Sequence, residues 1–231
     1  MKKVAILQSN YIPWKGYFDL IASVDEFIIY DEVQYTKNDW RNRNLIKTPQ
    51  GLKWLTIPVR ADSNRAIKDV VFSNRDWGGL HCQTLHANYR RAKYFDEIFG
   101  LIEPILMDSN IKTLTEVNVL LIKVICLYLK INTKISYSWD YGLIEGKTER
   151  LVDLSKKTEA SIYVSGPSAK NYIDQKIFKH AGIELQWFNY CDYKEYPQLW
   201  GDFEHAVSIL DLLFNCGQNS SHYMRFINDS F

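Results

Sequence analysis

Two short polar segments in this sequence carry side chains that could do chemistry, and each follows a short apolar run. Gln8-Ser9-Asn10-Tyr11 comes directly after Val4-Ala5-Ile6-Leu7, and Asp31-Glu32-Val33-Gln34 follows Glu26-Phe27-Ile28-Ile29-Tyr30. The two runs read as buried parallel strands, and ligands of open α/β sheets bind beyond the carboxyl ends of such strands. We therefore predict a ligand site here, with Asp31 as a candidate catalytic base. Its predicted substrate-binding residues are Gln8, Asn10, Tyr11 and Gln34.

The densest polar cluster is Asp39-Trp40-Arg41-Asn42-Arg43-Asn44. Guanidinium groups bind phosphates and carboxylates through paired hydrogen bonds, so Arg41 and Arg43 could clamp a phosphate or a carboxylate. A solvated loop with surface ion pairs would show the same composition. Trp14 or Tyr11 would supply an aromatic face on which the ligand stacks.

Two glycine-containing turns add further candidate binding residues. Ser165-Gly166-Pro167 follows another apolar run and leads into a predicted helix, where backbone N–H groups could meet a phosphate. The same residues are also common in plain turns and helix caps. Gly16 either permits a tight entry into a helix or lets a ligand approach the backbone. We include Ser165, Gly166 and Gly16 among the predicted substrate-binding residues.

Two titratable residues stand apart from these segments. His81 lies near the start of a predicted helix after Trp77-Gly78-Gly79, where it is either a catalytic base or a half-buried helix residue. Asp211 lies inside the apolar stretch 208–214, so its carboxylate must be paired or must face a cavity. We assign it to substrate binding. The histidines form no HExxH motif and the cysteines no CxxC motif, so we expect no metal site, and the sequence identifies no cofactor.

The elements that position these residues alternate between strand and helix, which predicts an α/β fold: a Rossmann-like, mostly parallel sheet with a helical insertion in the middle. We expect one domain over residues 1–231, in which residues 80–130 could form a helical subdomain. The predicted strands are 4–7, 26–30, 54–59, 67–73, 135–139, 161–164 and 183–190. The predicted helices are 17–24, 80–99, 113–129, 148–158, 169–180 and 208–214, the last stopped by Gly217.

Composition limits the classes of partner. The chain has 231 residues with 28 Lys and Arg against 27 Asp and Glu, a formal net charge of +1. This balance gives no field for binding nucleic acid. No apolar stretch is long enough to span a membrane, and the first residues lack the pattern of a signal peptide. We therefore expect a cytoplasmic protein without an integral membrane segment. Aromatic residues are 14% of the chain, which suits a sugar or nucleotide pocket as well as an aromatic core.

The motifs together resemble those of the WbqC-like protein family from end to end. The matching segments are 8–19, 31–35, 40–43, 54–59, Ser165-Gly166 with Tyr172, 196–198, Phe203, and 208–215 with Gly217. Three positions depart from the family pattern: Ser9 stands where proline is expected, Asp192 where histidine is frequent, and His205 where proline is usual. The departure at His205 favours a structural role for that residue.

The resemblance implies a role in O-antigen or other surface-polysaccharide biosynthesis, in which an acyl or aminoacyl group, such as glycine, is transferred to a sugar. The partners would be a sugar or sugar nucleotide and an activated acyl donor, and peripheral assembly with polysaccharide-synthesis enzymes stays open. One alternative is an ATP-dependent adenylate-forming or nucleotidyl-transfer enzyme. Another is a non-catalytic carbohydrate-binding assembly protein. The residues alone do not separate these three hypotheses.

Overall fold

A five-stranded parallel sheet forms the centre of the computed structural model, which describes residues 1–60 and 64–227. The strands in chain order are β1 Lys3–Leu7, β2 Glu26–Ile29, β3 Arg43–Thr48, β4 Gly51–Thr56, β5 Val59–Arg60, β6 Val71–Phe72, β7 Lys134–Tyr137, β8 Ile162–Ser165 and β9 Glu184–Trp187. The central sheet has the order β7-β2-β1-β8-β9 with every pair parallel. β3 pairs with β4, and β5 with β6, as antiparallel ribbons.

The helices in chain order are α1 Lys15–Ala22, α2 Trp77–Tyr89, α3 Phe95–Met107, α4 Leu114–Tyr128, α5 Thr148–Lys157, α6 Gln175–His180 and α7 Ile209–Cys216. Strands of the central sheet alternate with helices along the chain, so the predicted Rossmann-like α/β class is confirmed. Leu85 of α2, Ile102 of α3 and Ile122 of α4 share one continuous apolar core with Phe27 of β2. The middle helices therefore pack onto the same core as the sheet.

The central strands were predictable because they are buried on both faces. Val4, Ala5 and Ile6 of β1 are buried, as is every residue of β2. Parallel strands covered on both faces read as continuous apolar runs. Apolar side chains at such positions lose all contact with water, and each contributes about 1.5–3 kcal/mol when fully buried.

The strand order places the switch point of the sheet between β1 and β8. From β1 the chain moves outward to β2 and then to β7, and it next crosses to the other side of β1 to form β8 and β9. The connections that leave β1 and β8 therefore separate, and they open a crevice at the carboxyl edge. Ligands of doubly wound sheets bind at such crevices.

Several predicted elements are shorter or broken. The predicted helix 80–99 is two helices, because the backbone N–H of Tyr94 turns away to donate to the carbonyl of Phe214 at 3.0 Å. The predicted helix 169–180 keeps only α6, whose N-terminus is capped by Asp174 accepting from the N–H of Lys176 at 2.9 Å. The predicted strand 183–190 ends at Trp187. The stop at Gly217 is confirmed, since it ends α7 with a φ of 55°.

The region between β2 and α2 differs most from expectation. The predicted strand 54–59 ends at Thr56 and resumes at Val59, because Pro58 has no N–H to give to a ladder. The predicted strand 67–73 is a turn of 3₁₀-helix over Ile67–Asp69 followed by β6. Of the polar cluster at 39–44 only Arg43 and Asn44 belong to β3, which pairs with β4 from Arg43 opposite Thr56 to Thr48 opposite Gly51.

Glu26 provides an expected pH dependence of stability. Burial opposes its charge, but Lys2, Tyr141, Ser136 and Lys134 hydrogen bond to the carboxylate and together lower its pKa from 4.5 to about 2. The stabilisation is thus complete above pH 4.5 and is lost as the pH falls to about 2. We expect Glu26→Gln to flatten the fall in unfolding free energy across this window.

Chemical denaturation of the wild type and Glu26→Gln at a series of pH values measures the contribution of Glu26 to the free energy of unfolding. Asp153→Asn is the control, because it breaks a helix-surface ion pair with Lys157 at 2.7 Å, of a kind worth little. Equal pH profiles for the wild type and Glu26→Gln would contradict the assignment.

Candidate functional site

A cavity of about 730 Å³ lies at the switch point of the sheet. It is reached from the carboxyl ends of β1, β2 and β8, where the topology predicts a ligand. Its walls combine aromatic rings, carboxamides, hydroxyls and charged groups. The lining residues that bear polar groups are Gln8, Tyr30, Glu32, Gln34, Lys147, Arg150, Tyr163, Ser165, Ser168, Tyr172 and Tyr190.

Glu32 brings a carboxylate into this cavity from the end of β2. Lys68 donates to its Oε1 at 3.2 Å and the Ser138 hydroxyl to its Oε2 at 2.8 Å, which fixes the carboxylate at the rim. Lys147 and Arg150, from the start of α5, supply positive charge on another wall. The cavity therefore offers an acceptor for hydroxyl groups and cations for phosphates.

Asp31, the neighbour of Glu32, points into the protein and is fully buried. Its carboxylate accepts from the Ser9 N–H at 2.8 Å, from the Ser9 hydroxyl at 2.6 Å and from the Thr115 hydroxyl at 2.6 Å. Burial raises its pKa, and the hydrogen bonds from Ser9 and Thr115 oppose that rise. Asp31 thus ties the loop after β1 to the end of β2 and to α4.

The Arg41 side chain lies between Gln8 and Asn10, the two neighbours of Ser9 in the chain. Its guanidinium donates to the Oε1 of Gln8 at 3.2 Å and to the Oδ1 of Asn10. The backbone beside it is also held, because the amide of Asn118 donates to the Arg41 carbonyl at 2.8 Å and to the Ser9 hydroxyl at 3.2 Å. Asp31, Ser9 and Asn118 therefore form a hydrogen-bonded network that positions Arg41.

A second cavity of about 290 Å³ lies next to this arginine. Two tryptophans from different segments contribute to its wall, and an imidazole joins them from the loop before α7. Burial lowers the pKa of His205, and the nearby charge of Lys15 lowers it further, so the imidazole is neutral at pH 7. The lining residues are Asn10, Pro13, Trp14, Trp40, Asn44, His205 and Ala206.

Gly16 determines where the Trp14 ring lies. A Cβ placed on Gly16 would come within 2.3 Å of that indole, so a larger side chain would displace the ring. Tyr190 packs on the other side, with ring centroids 5.4 Å apart. Gly16 therefore acts through Trp14.

We expect Gly16→Ala to distort the second cavity and to destabilise the protein by about 1–3 kcal/mol, as over-packed sites do. Intrinsic tryptophan fluorescence and thermal denaturation measure the two effects. Gly79→Ala is the control, because a Cβ there meets open space within 4 Å. An unchanged emission spectrum and melting temperature in Gly16→Ala would contradict the view that Gly16 determines the position of the Trp14 ring.

His81 and Tyr11 contact each other in the core. His81 is 6% exposed and Tyr11 fully buried, and the Tyr11 hydroxyl shares a hydrogen bond of 2.8 Å with the His81 Nδ1. Burial lowers the pKa of His81 to about 4, so the imidazole is neutral at pH 7. The Tyr11 N–H also donates to the Trp40 carbonyl at 3.0 Å. The pair thus supports the loops that carry Asn10 and Trp40.

Asp211 is fully buried in the first turn of α7. The Tyr89 hydroxyl donates to its Oδ2 at 2.7 Å, and the same hydroxyl accepts from the Lys47 N–H at 2.9 Å. Burial raises the pKa of Asp211, while Tyr89, Tyr196 and Gln198 hold the charged form by hydrogen bonds. These contacts join α7 to α2 and β3.

The remaining predicted residues divide between the cavity and the surface. Ser165 and Gly166 line the switch-point cavity, and the turn leads into a 3₁₀-helix of five residues. A Cβ on Gly166 would lie 3.6 Å from the Tyr190 hydroxyl. Arg43 instead stacks its guanidinium 4.2 Å from the centre of the Trp54 ring.

The structure thus gathers Gln8, Gln34, Ser165 and Gly166 around the switch-point cavity, and Asn10 and Trp14 around the second one, with Arg41 between Gln8 and Asn10. Asp31, Tyr11, His81 and Asp211 lie in the core behind these walls. Sequence reasoning missed Glu32, Lys147, Arg150, Tyr190, Trp40 and His205. The sequence signal for Glu32 was its place in the polar segment after β2; residues 31 and 32 form a turn, so the alternation of strand residues does not apply to them.

Within residues 1–60 and 64–227, no helix is long and apolar enough to cross a membrane. The same residues contain no group of three or more His, Cys, Asp or Glu side chains that could hold a metal ion.

Comparisons with known proteins match almost the whole chain. The model of the WbqC-like protein family matches residues 8–223. The uncharacterized protein Rv1507c of Mycobacterium tuberculosis is 52% identical over 228 residues, which are 98% of this chain and 99% of that protein. No solved structure matches. These matches identify the family of the chain but name no reaction. The function must therefore be inferred from the geometry of the site.

Proposed function

Since the chain belongs to the WbqC-like protein family, we propose that it is a transferase that adds an acyl or aminoacyl group to a sugar carried on a nucleotide. The observation that carries this proposal is the cavity of about 730 Å³ at the switch point of a parallel sheet. The nucleotide of the sugar nucleotide binds there.

The polar groups of the cavity suit the parts of a nucleotide. A carboxylate at the end of the second strand of a doubly wound sheet is well placed to accept hydrogen bonds from ribose hydroxyls, and Glu32 occupies that position. Lys147 and Arg150 neutralise phosphates, for which a guanidinium is especially suited. Tyr30, Tyr172 and Tyr190 give rings against which a base can stack.

The transfer step joins two substrates. An amino or hydroxyl group of the sugar attacks the carbonyl carbon of an activated acyl donor, so that a C–N or C–O bond forms. The bond from that carbon to the leaving group breaks, and a base takes the proton of the attacking group. Such chemistry serves surface-polysaccharide biosynthesis in the cytoplasm, in peripheral assembly with polysaccharide-synthesis enzymes.

Asp31 and His81, the bases predicted from sequence, act in this proposal as positioning residues. Asp31 is fully buried and engaged with Ser9 and Thr115, and His81 is engaged with Tyr11. Through these contacts they fix the loops that carry Gln8, Asn10 and Trp40. Their replacement is expected to lower ligand affinity and thermal stability together.

Thermal denaturation with added ligands tests the proposal. We expect a sugar nucleotide at a concentration 100 times its Kd to stabilise the protein by about 2.7 kcal/mol. Arg150→Gln should reduce that stabilisation, whereas Arg91→Gln, which removes an equal charge at an exposed position between α2 and α3, should keep it. Stabilisation only by ATP together with an amino acid would support adenylate formation instead. A stabilising sugar nucleotide without turnover in the presence of acyl donors would support a non-catalytic binding protein.

A further inference from the structure

We propose that the second cavity, lined by Asn10, Trp14, Trp40, Asn44 and His205, binds the pyranose ring that undergoes the transfer. This inference extends the proposed function, because it assigns the sugar part of the sugar nucleotide to a separate subsite. The nucleotide would lie in the switch-point cavity and the sugar in the second one, on the two sides of Arg41.

The walls of the second cavity suit a sugar. A pyranose presents apolar C–H faces and a rim of hydroxyl groups, so it needs flat apolar surfaces with hydrogen-bonding groups at their edges. Trp14 and Trp40 provide indole faces, and the Trp40 side chain is 43% exposed. Asn10 and the neutral imidazole of His205 provide donors and acceptors for hydroxyls. The cavity volume of about 290 Å³ is sufficient for one ring and its substituents.

The aromatic surfaces are held in place by their own contacts. Trp40 packs against Trp54 with ring centroids 5.4 Å apart. Trp14 packs on Tyr190, at 5.4 Å, and on Tyr193, at 5.6 Å. Asn44 fixes the loop between them, because its amide donates to the carbonyls of Tyr11 and Ile12. Such preorganised rings lose little conformational entropy when a ligand stacks on them.

Two connections join the second cavity to the first. Gln8 lines one cavity and Asn10 the other, and the guanidinium of Arg41 bonds to both side chains. Tyr190 lines the first cavity and contacts Trp14 of the second. Arg41, Tyr190 and Trp14 therefore separate the two cavities, and we call these three residues the partition.

Arg41 is suitably placed for the diphosphate that links a sugar to its nucleoside. Its side chain is 15% exposed, and beside Gln8 and Asn10 it has Asp39 at 3.6 Å. A guanidinium can exchange carboxamide partners for phosphate oxygens at little cost, because it is weakly hydrated and forms paired hydrogen bonds. In a sugar nucleotide that extends from one cavity to the other, the diphosphate would thus lie beside the Arg41 guanidinium.

The test compares sugar nucleotides with the matching nucleoside diphosphates. The probes are UDP-N-acetylglucosamine, dTDP-glucose, GDP-mannose and ADP-glucose, with UDP, dTDP, GDP and ADP, titrated calorimetrically into the full chain. For at least one pair we expect the sugar to tighten binding about fivefold, as burial of a small apolar face would. Trp40→Ala should remove this gain and leave binding of the diphosphate within twofold of the wild type. Trp139→Ala is the control, since that indole is 36% exposed, lines neither cavity and contacts Lys68 instead of the tryptophans of the second cavity.

Saturation-transfer NMR with the methyl glycosides of the same four sugars separates this inference from the proposed function. Saturation of a glycoside that Trp40→Ala abolishes and Trp139→Ala preserves would support the sugar subsite, even if no nucleotide bound. Absence of nucleotide binding alone would overturn the proposed function. A sugar gain that persists in Trp40→Ala, or no sugar gain together with no glycoside saturation, would overturn the subsite.

Discussion

Asp31→Asn is expected to destabilise the protein by about 2 kcal/mol, whereas Glu32→Gln should leave stability within about 1 kcal/mol and weaken nucleotide binding about tenfold. The two substitutions make the same chemical change at adjacent residues. The difference arises because Asp31 is fully buried and accepts three hydrogen bonds, while Glu32 lines the switch-point cavity. In Asp31→Asn the new amide faces groups that themselves donate.

Urea denaturation of both variants and calorimetric titration with nucleoside diphosphates measure the two effects. Loss of a hydrogen bond between a carboxylate and ribose should weaken binding about tenfold or more. The free energy of unfolding should fall more in Asp31→Asn than in Glu32→Gln, whereas the affinity for nucleotides should fall more in Glu32→Gln. If Glu32→Gln bound nucleotides as tightly as the wild type, the assignment of Glu32 to ribose would be excluded.

This pair of residues also shows what the sequence could predict about the site. The apolar runs located both strands and therefore the edge at which Asp31 and Glu32 lie. The direction of each side chain depends on the twist of the chain after Ile29 and on the arrival of Thr115 from α4, 84 positions away. Local periodicity carries no information about that contact, so the sequence alone does not distinguish the buried carboxylate from the one that lines the cavity.

Contacts between distant segments explain the other differences. Trp40 lies shortly before β3 and Trp54 lies in β4, so the two rings meet because these strands pair. The polar pattern of 39–44 indicates a loop and does not predict this contact. Lys147 and Arg150 reach the cavity because β8 crosses to the far side of β1, which brings the start of α5 to the switch point. The crevice itself was predictable from the alternation of strands and helices, whereas the basic residues that line it depend on strand order.

The largest effect on ligand affinity is expected for Arg41→Lys. The lysine keeps the charge but has no planar fork, so it cannot offer a phosphate the paired hydrogen bonds that the guanidinium would form in place of those to Gln8 and Asn10. We expect sugar nucleotides to bind at least about 30-fold more weakly, corresponding to about 2 kcal/mol. The backbone at Arg41 should stay in place, because Asn118 holds its carbonyl.

Arg43→Lys is the matched control for Arg41. Arg43 was predicted from sequence to bind the same phosphate, but its guanidinium stacks on Trp54 and donates to the carbonyl of Asn38. Loss of that stacking should cost about 1 kcal/mol of stability or less and should change affinity by less than threefold. Calorimetric titration of both variants with the tightest-binding sugar nucleotide, beside their urea denaturation curves, gives the comparison. If Arg43→Lys weakened binding as much as Arg41→Lys, the phosphate would have to lie on the β3–β4 side, and the partition between the two cavities could not be its binding site.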